Sequence, residues 1–463
     1  MEMIKGLVMM RQAGLGVVVG LVAACGGDDG SMDSASAGWT ISTTHLTATE
    51  SAGPTGTASN TESSAGSMSD SMTDSSGTVT TSESTGIDSD TSTSTGTDSD
   101  TSTGTDSDTD TVEPCPTNEE PDFSYIWIAN SNQGTISKID TQTLEEKGRY
   151  IVRPDSLGTP SRTSVNLSGD VVVANRKGGL TKVFARETDC VESNGIPGIQ
   201  TSTNGTALPW GEEECLAWHT PMDYLSQRPA AWTQGTYNKE KCAWEDQKVW
   251  TSGASPGQLP GLDILRLNGE TGVIEEKLSF PDIEPGGYGM YGGAVDGEGN
   301  LWASQLGAGK LVFVDNETLE SKVYQMPVGT YGIAVGASGY VWTCSDDVGR
   351  FDPMTETWET LKVGGNGGCM EDDSGTLYMS GLNNTIIAVD VETVQVKATY
   401  PVPQYVHGIS IDHYGYVWGV SLGSQAYRLD INAQGAVQIF NGLVGAYSYS
   451  DMTGVGLSNV TPK

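Results

Sequence analysis

Two stretches of the chain decide the fold. The first is Thr330-Tyr-Gly-Ile-Ala-Val-Gly-Ala-Ser-Gly-Tyr-Val-Trp342 and the second is Val406-His-Gly-Ile-Ser-Ile-Asp-His-Tyr-Gly-Tyr-Val-Trp418. Each holds two short apolar runs joined by a Gly-containing turn, which reads as a β-hairpin. Gly169, Gly299, Gly339, Gly375 and Gly415 all stand three residues before an apolar or aromatic residue, namely Val172, Trp302, Trp342, Tyr378 and Trp418. One hairpin is therefore repeated along the chain.

A second motif follows each hairpin. It is Asp140-Thr-Gln-Thr143, Asp315-Asn-Glu-Thr318, Asp352-Pro-Met-Thr355 and Asp390-Val-Glu-Thr393, with weaker copies at Ala185, Asn268 and Asp430. An Asp or Asn opening a turn accepts hydrogen bonds from its own backbone two residues on. Seven such turns predict seven units, and the last four turns are 37, 38 and 40 residues apart, a period that suits four-stranded propeller blades. No stretch sustains the 3.6-residue periodicity of a helical solenoid. The fold class is all-β, a seven-bladed β-propeller over residues 121–463. Its first unit starts at Tyr125-Ile-Trp127 without an inner strand, and Thr453-Gly-Val-Gly-Leu457 reads as the strand that supplies it. Closure by strands from both termini removes free sheet edges.

The remaining sequence is of another kind. Lys5 and Arg11 precede the apolar run Leu15–Ala24, which ends at Cys25. A basic flank, a short apolar run and small residues mark residues 1–24 as a signal peptide. Val22-Ala-Ala-Cys25 resembles the lipobox of bacterial lipoproteins, which implies that Cys25 is lipidated and anchored to a membrane. Gly26 follows where an inner-membrane retention signal would place Asp, so the resemblance implies an outer-membrane lipoprotein of the cell envelope. Residues 25–120 then form a Ser/Thr/Asp/Gly-rich low-complexity tether. It carries 18 acidic residues and no Lys or Arg, cannot bury enough apolar surface to order itself, and as a coil spans roughly 50–60 Å. The net charge of −35 excludes nucleic acid as a partner, since phosphate binding needs clustered cations. About half of that charge belongs to the tether.

Between the second and third units lies an insertion at about residues 190–250. Long loops of this kind are functional or separately tied down. Export permits disulfides. The expected pairs are Cys190–Cys215 within the insertion, Cys344–Cys369 between adjacent blades, and Cys115–Cys242 by elimination. Glu192-Ser-Asn194-Gly-Ile-Pro-Gly looks like a worn calcium loop, with Asp189 and Glu212 to Glu214 as further oxygens. Ile196 stands where a carboxylate ligand belongs, so calcium in residues 189–214 competes with a plain disulfide-closed loop.

In each unit the residue eleven before the central aromatic begins the innermost strand, at one mouth of the channel. Those positions are Tyr291, Tyr331, Gly367, His407 and Ser161, and Gln227 and Thr453 complete the ring by motif. Arg162 and Arg228 adjoin it. Converging tyrosines, a histidine and arginines predict a polar-aromatic ligand site for a small molecule, glycan or protein. A channel wall filled with ordered water is the competing reading.

The two stretches quoted above also resemble the repeats of the virginiamycin B lyases, seven-bladed propellers that open streptogramin lactones by magnesium-assisted elimination. The resemblance covers most of residues 285–440. It implies His407 as general base, since this residue occupies the family's Pro-His-Gly-Ile position. The family's other groups are not matched: its two glutamates fall on Tyr405 and Leu422, and its second histidine falls on Gly367. Magnesium therefore enters only with the lyase reading, and the calcium ligands of six-bladed lactonases are not identifiable either. The expected function is a surface-tethered propeller acting as a ligand- or protein-binding module. The alternative is a lyase or lactonase acting through His407.

Overall fold

The computed structural model describes residues 124–258 and 261–462. The chain divides into units of residues 1–103 and 104–463, and everything below concerns the second. The readings made for the signal peptide, Cys25, the tether and Cys115 lie outside the described residues.

Among the described residues seven antiparallel blade sheets follow one another along the chain, with one further two-stranded sheet between strands of the third. Blade one has three paired strands, Tyr125–Asn130, Thr135–Asp140 and Glu146–Ile151. Blade two holds Pro160–Val165, Val171–Asn175, Leu180–Val183 and Leu216–Thr220. Blade three holds Ser226–Trp232, Lys248–Ala254, Leu262–Asn268 and Ile274–Ser279. The innermost strands of blades four to seven are Met290–Val295, Gly332–Val335, Gly365–Glu371 and Gly408–Ile411. Each is followed outward by three more strands in chain order. The chain is thus an all-β, seven-bladed propeller.

Its alternation of turns and strands has local causes. The Asp-x-x-Thr turns join the last two strands of a blade. Asp140 accepts hydrogen bonds from the backbone N–H groups of Gln142 (2.9 Å) and Thr143 (2.8 Å), and Asp315 accepts them from Glu317 (3.0 Å) and Thr318 (2.7 Å). The central aromatics lie in second strands; the indole N–H groups of Trp302 and Trp418 bond to Asp296 and Asp412 of their own blades, and those of three others reach across to the next blade. Trp127 donates to the Gly169 carbonyl (3.2 Å), Trp250 to that of Gly299 (3.1 Å) and Trp342 to the Glu371 carboxylate (2.5 Å). Each ring seals the seam between two sheets, where Trp127, Trp250, Trp342 and Trp418 are fully buried. Outer strands alternate exposed and half-buried residues, as in Ile274–Ser279, because only one edge of each blade meets the core.

The expected closing strand is displaced in sequence. The segment that pairs with blade one is residues 446–452, where Tyr447 N–H donates to Ala129 O (3.1 Å) and Trp127 N–H to Met452 O (2.8 Å). Thr453–Leu457 instead begins a turn and the short helix Val455–Val460. Half-buried Asp451 stabilises this change: its carboxylate accepts the N–H groups of Gly454 (2.8 Å) and Leu457 (3.0 Å), where the chain leaves the strand. Leu457 packs into the core of blades two to four and Val455 into that of blades six and seven.

The extra residues between blades two and three divide in two. Residues 190–215 lie before the outer strand of blade two, and a hairpin of Thr236–Asn238 and Ala243–Glu245 interrupts blade three. Between them, Ser226–Trp232 is a regular inner strand, so the expected single insertion is two excursions around blade strands. Disulfides join Cys190 to Cys215 and Cys344 to Cys369, the latter between blades five and six. Cys242 is also disulfide-bonded, and the expected partner Cys115 lies outside the described residues.

Candidate ligand-binding site

The register of the innermost strands sets which side chains enter the channel mouth. Ser164, Ala294, Ala334, Met370 and Ser410 pair with the central residues Val172, Trp302, Trp342, Tyr378 and Trp418. Three residues before them stand Ser161, Tyr291, Tyr331, Gly367 and His407, as the count from the central aromatic predicts. In blade three Ala231 pairs with Trp250, which gives Arg228 the ring position. Gln227 turns away, accepting Gly179 N–H (2.8 Å) and donating to Thr251 Oγ1 (3.3 Å). In blade one the position belongs to Tyr447. Its N–H bonds to Ala129 O as Tyr331 N–H does to Cys344 O (2.8 Å) and His407 N–H to Val420 O (2.6 Å). Thr453 stands apart from the mouth, donating to Ile411 O (2.5 Å) beside the terminal helix.

Around the mouth the order is therefore Tyr447, Ser161, Arg228, Tyr291, Tyr331, Gly367 and His407. Arg162 and Tyr449 come from the same strands and complete the cluster. The hydroxyls of Tyr291, Tyr331 and Tyr447 form a triad, with Tyr291 Oη 2.8 Å from each of the other two and Tyr331 bonded to Tyr447. Tyr288, Tyr405 and Tyr447 are half-buried at the rim, while Tyr291, Tyr331, Tyr449 and His407 are buried beneath. Tyr447 and Tyr449 were not anticipated. Their signal was present, since Tyr447-Ser-Tyr-Ser has the aromatic-small-apolar-small pattern of His407-Gly-Ile-Ser.

His407 lies among aromatic rings. The centroid of Tyr331 is 4.4 Å away, that of Tyr447 5.3 Å and that of Tyr449 5.5 Å. Its Nδ1 is 2.8 Å from Tyr405 Oη, and its buried Nε2 has no hydrogen-bond partner. Burial, reinforced by the positive charge of Arg162, pushes its pKa down to about 3. No carboxylate is bonded to this imidazole among the described residues: the group at its Nδ1 is the Tyr405 hydroxyl, and Leu422 is surface-exposed. The described groups that touch the ring are thus tyrosines.

The arginines sit on the tyrosine faces. Arg162 donates Nε (2.9 Å) and Nη2 (2.6 Å) to the Tyr291 carbonyl, and its guanidinium lies over the rings of Tyr291 and Tyr449. Arg228 lies 4.4 Å from the Tyr288 centroid and 4.5 Å from that of Tyr291. Arg176 covers Tyr447 at the rim at 4.8 Å. Such stacking holds planar cations in place.

The candidate calcium residues are placed otherwise. Asp189 pairs with Arg186 (3.2 Å), Glu192 accepts Gly195 N–H (2.8 Å) and Asn194 Oδ1 accepts Ile196 N–H (2.8 Å). Glu214 accepts the N–H groups of Ser193 (2.6 Å), Asn194 (3.0 Å) and Gln200 (2.9 Å), which hold its pKa below the usual carboxylate range. Glu213 accepts Ser202 and Cys215 N–H, and Glu212 offers its carbonyl to Asn194. Among the described residues no three His, Cys, Asp or Glu side chains cluster as metal ligands.

No protein-family model matches the chain, and no curated protein matches it. Among solved structures, a streptogramin B lyase is 16% identical with a TM-score of 0.46, covering 64% of this chain and 87% of its own. Virginiamycin B lyase from Staphylococcus aureus is 14% identical with a TM-score of 0.42, covering 61% and 84%. A functionally unknown protein from Desulfotomaculum acetoxidans is 11% identical with a TM-score of 0.50, covering 70% and 96%. At such identities a likeness concerns the fold alone, and what this chain has in common with the last of them is the β-propeller.

Proposed function

We propose that the chain is an exported, lipid-anchored binding module whose propeller takes a ligand at the mouth lined by Tyr291, Tyr331, Tyr447, His407, Arg162 and Arg228. One observation carries this reading. Ser161 Oγ, Arg162 Nη1, Arg228 Nη1, His407 Nε2 and Tyr449 Oη are all buried without hydrogen-bond partners, and all five belong to this one cluster. Buried polar groups are nearly always satisfied, so five orphans in one place suit an occupant with polar atoms of its own. Anchoring rests on Val22-Ala-Ala-Cys25 and on the acidic tether, and the two disulfides agree with an exported chain. Outer-membrane sorting follows from Gly26.

Two experiments test the two halves. A thermal-shift screen of small polar and aromatic molecules on the full chain should give stabilising ligands, with the effect weakened by Tyr331→Phe. A screen with no hits, or with hits indifferent to the ring substitutions, removes the site. For the anchor, Cys25→Ala should move the protein from the membrane to the soluble fraction and abolish incorporation of labelled palmitate. Unchanged fractionation and labelling would rule the anchor out.

A further inference from the structure

We propose that the occupant of the mouth is an oxyanion, a small molecule bearing a carboxylate or phosphate group held between Arg162 and Arg228. The proposal rests on the ligand-site reading above and deepens it, and its observations are those of charge.

Both guanidiniums are buried, Arg162 at 0% and Arg228 at 5% exposure. Among the described residues the arginines that form ion pairs are Arg149, Arg153, Arg186, Arg266 and Arg350. Arg162 and Arg228 form none. Arg162 bonds to a carbonyl oxygen and Arg228 to Ser226 Oγ (3.3 Å), both of them neutral acceptors. Taking an uncompensated cation out of water costs several kcal/mol, and here two lie against the ring of a single tyrosine, Tyr291, at 4.7 and 4.5 Å from its centroid. Burial and the mutual repulsion of the arginines oppose the charged form of Arg162.

The unpartnered atoms specify the kind of group that would fit. Arg162 Nη1 and Arg228 Nη1 are donors without acceptors, and the hydroxyls of Ser161 and Tyr449 each have a proton to give. Four donors and two positive charges lack an acceptor with several lone pairs and a negative charge. Water would satisfy the donors and leave both charges uncompensated. A carboxylate or phosphate satisfies both requirements, and guanidinium groups match its geometry. The planes are already fixed, since Nε and Nη2 of Arg162 are locked on Tyr291 O and Arg228 is held over two rings. Little side-chain entropy remains to be lost on binding. Arg176, over Tyr447 at the rim, adds a third cation on the way in. The arrangement is selective in sign within a chain whose net charge is −35.

The test uses the full chain with sodium phosphate, sodium succinate, sodium chloride at equal ionic strength, and glucose as a neutral probe. Calorimetry and thermal shift are read on wild type, Arg228→Gln, and Lys322→Gln, which removes an exposed ion pair with Glu356 on the outermost strand of blade four. The expected result is stabilisation by phosphate or succinate over chloride, with affinity lowered about tenfold or more by Arg228→Gln, the loss of a charge-assisted hydrogen bond, and unchanged by Lys322→Gln. Preference for phosphate over succinate, or the reverse, names the source of the oxyanion. Arg162→Gln is a second variant, and Arg228→Gln keeps the test open if it does not fold. Equal midpoints in oxyanion and chloride overturn the proposal. If glucose or an aromatic ligand then binds and Tyr331→Phe weakens it, the oxyanion fails while the ligand site stands. If nothing binds, both fall.

Discussion

Tyr331 and His407 meet edge to face, with ring centroids 4.4 Å apart and planes at 78°, although a whole blade separates their strands. They can touch because the intervening ring position is Gly367. Without a side chain there, blade six leaves a gap that its two neighbours fill. The buried half of the cluster depends on this absence as much as on any residue present.

Gly367→Ala tests that dependence. An added Cβ would stand 2.4 Å from the His407 backbone oxygen and 2.9 Å from Ser380 Cβ. Neither is the movable end of a long side chain, so the strands must separate. The expected cost is about 1–3 kcal/mol, measured by urea denaturation, together with weaker binding of any ligand of the mouth. A variant as stable as wild type would show that blades six and seven are not held at this spacing.

His407 makes stability depend on pH in a defined direction. An imidazole in the unfolded chain titrates near its ordinary value of about 6.5, whereas the buried ring titrates at about 3. Between those values the unfolded state binds more protons, so this residue's effect is absent above about pH 6.5 and destabilises progressively toward pH 3. The groups facing the ring are Tyr331, Tyr405, Tyr447, Tyr449 and the Arg162 charge, and none is a carboxylate that would oppose the shift. His407→Gln should flatten the decline of the thermal midpoint over this window, by up to about 1.4 kcal/mol per pH unit. Parallel pH profiles for the two proteins would refute the assignment.

The Cys344–Cys369 disulfide ties blade five to blade six across 25 residues. Closing a loop of that length in the unfolded chain is worth about 3 kcal/mol. Replacing both cysteines by alanine should lower stability by about that amount, measured by chemical denaturation. Because the bridge joins two blades near the cluster, ligand binding should weaken less than stability does. An unchanged denaturation midpoint would mean that the seam is held by packing alone.

Asp451 ends the closing strand by accepting three backbone N–H groups, those of Thr453 (3.2 Å), Gly454 and Leu457. Asp451→Ala leaves these donors without an acceptor and should cost about 1–2 kcal/mol, the range of lost helix caps. Hydrogen exchange should rise first in Val455–Val460. Protection retained there would indicate that the helix is held by Val455 and Leu457 instead.

Most of the fold was legible because its punctuation is local. An Asp-x-x-Thr turn satisfies its own backbone whatever surrounds it, so counting turns counted blades. Five ring positions were legible for a similar reason: the hairpin between each of them and its central residue has a fixed length. The misses mark where local rules stop. The sequence points to Gln227 instead of Arg228 because the hairpin at residues 236–245 breaks the count back from Trp250, and a slip of one residue turns a strand's side chains to the other face. Thr453 was chosen over Tyr447 because the closing segment pairs with a strand more than 300 residues earlier, with no turn between them to set the register. The arginine pairing could not be read at all, since a sequence shows charges but not which of them lack a partner.

The closing segment also determines when the mouth comes into being. Tyr447 and Tyr449 follow the last outer strand of blade seven and reach the ring by pairing with blade one and, at Tyr449, with Arg162 of blade two. Six blades and most of the seventh can be complete while the cluster still lacks two of its tyrosines and Arg162 lacks one of the two rings it lies over. A nascent or truncated chain ending before residue 446 would carry all the sheets and no finished mouth. Ring closure and binding competence would then arrive together, in a single late step of folding.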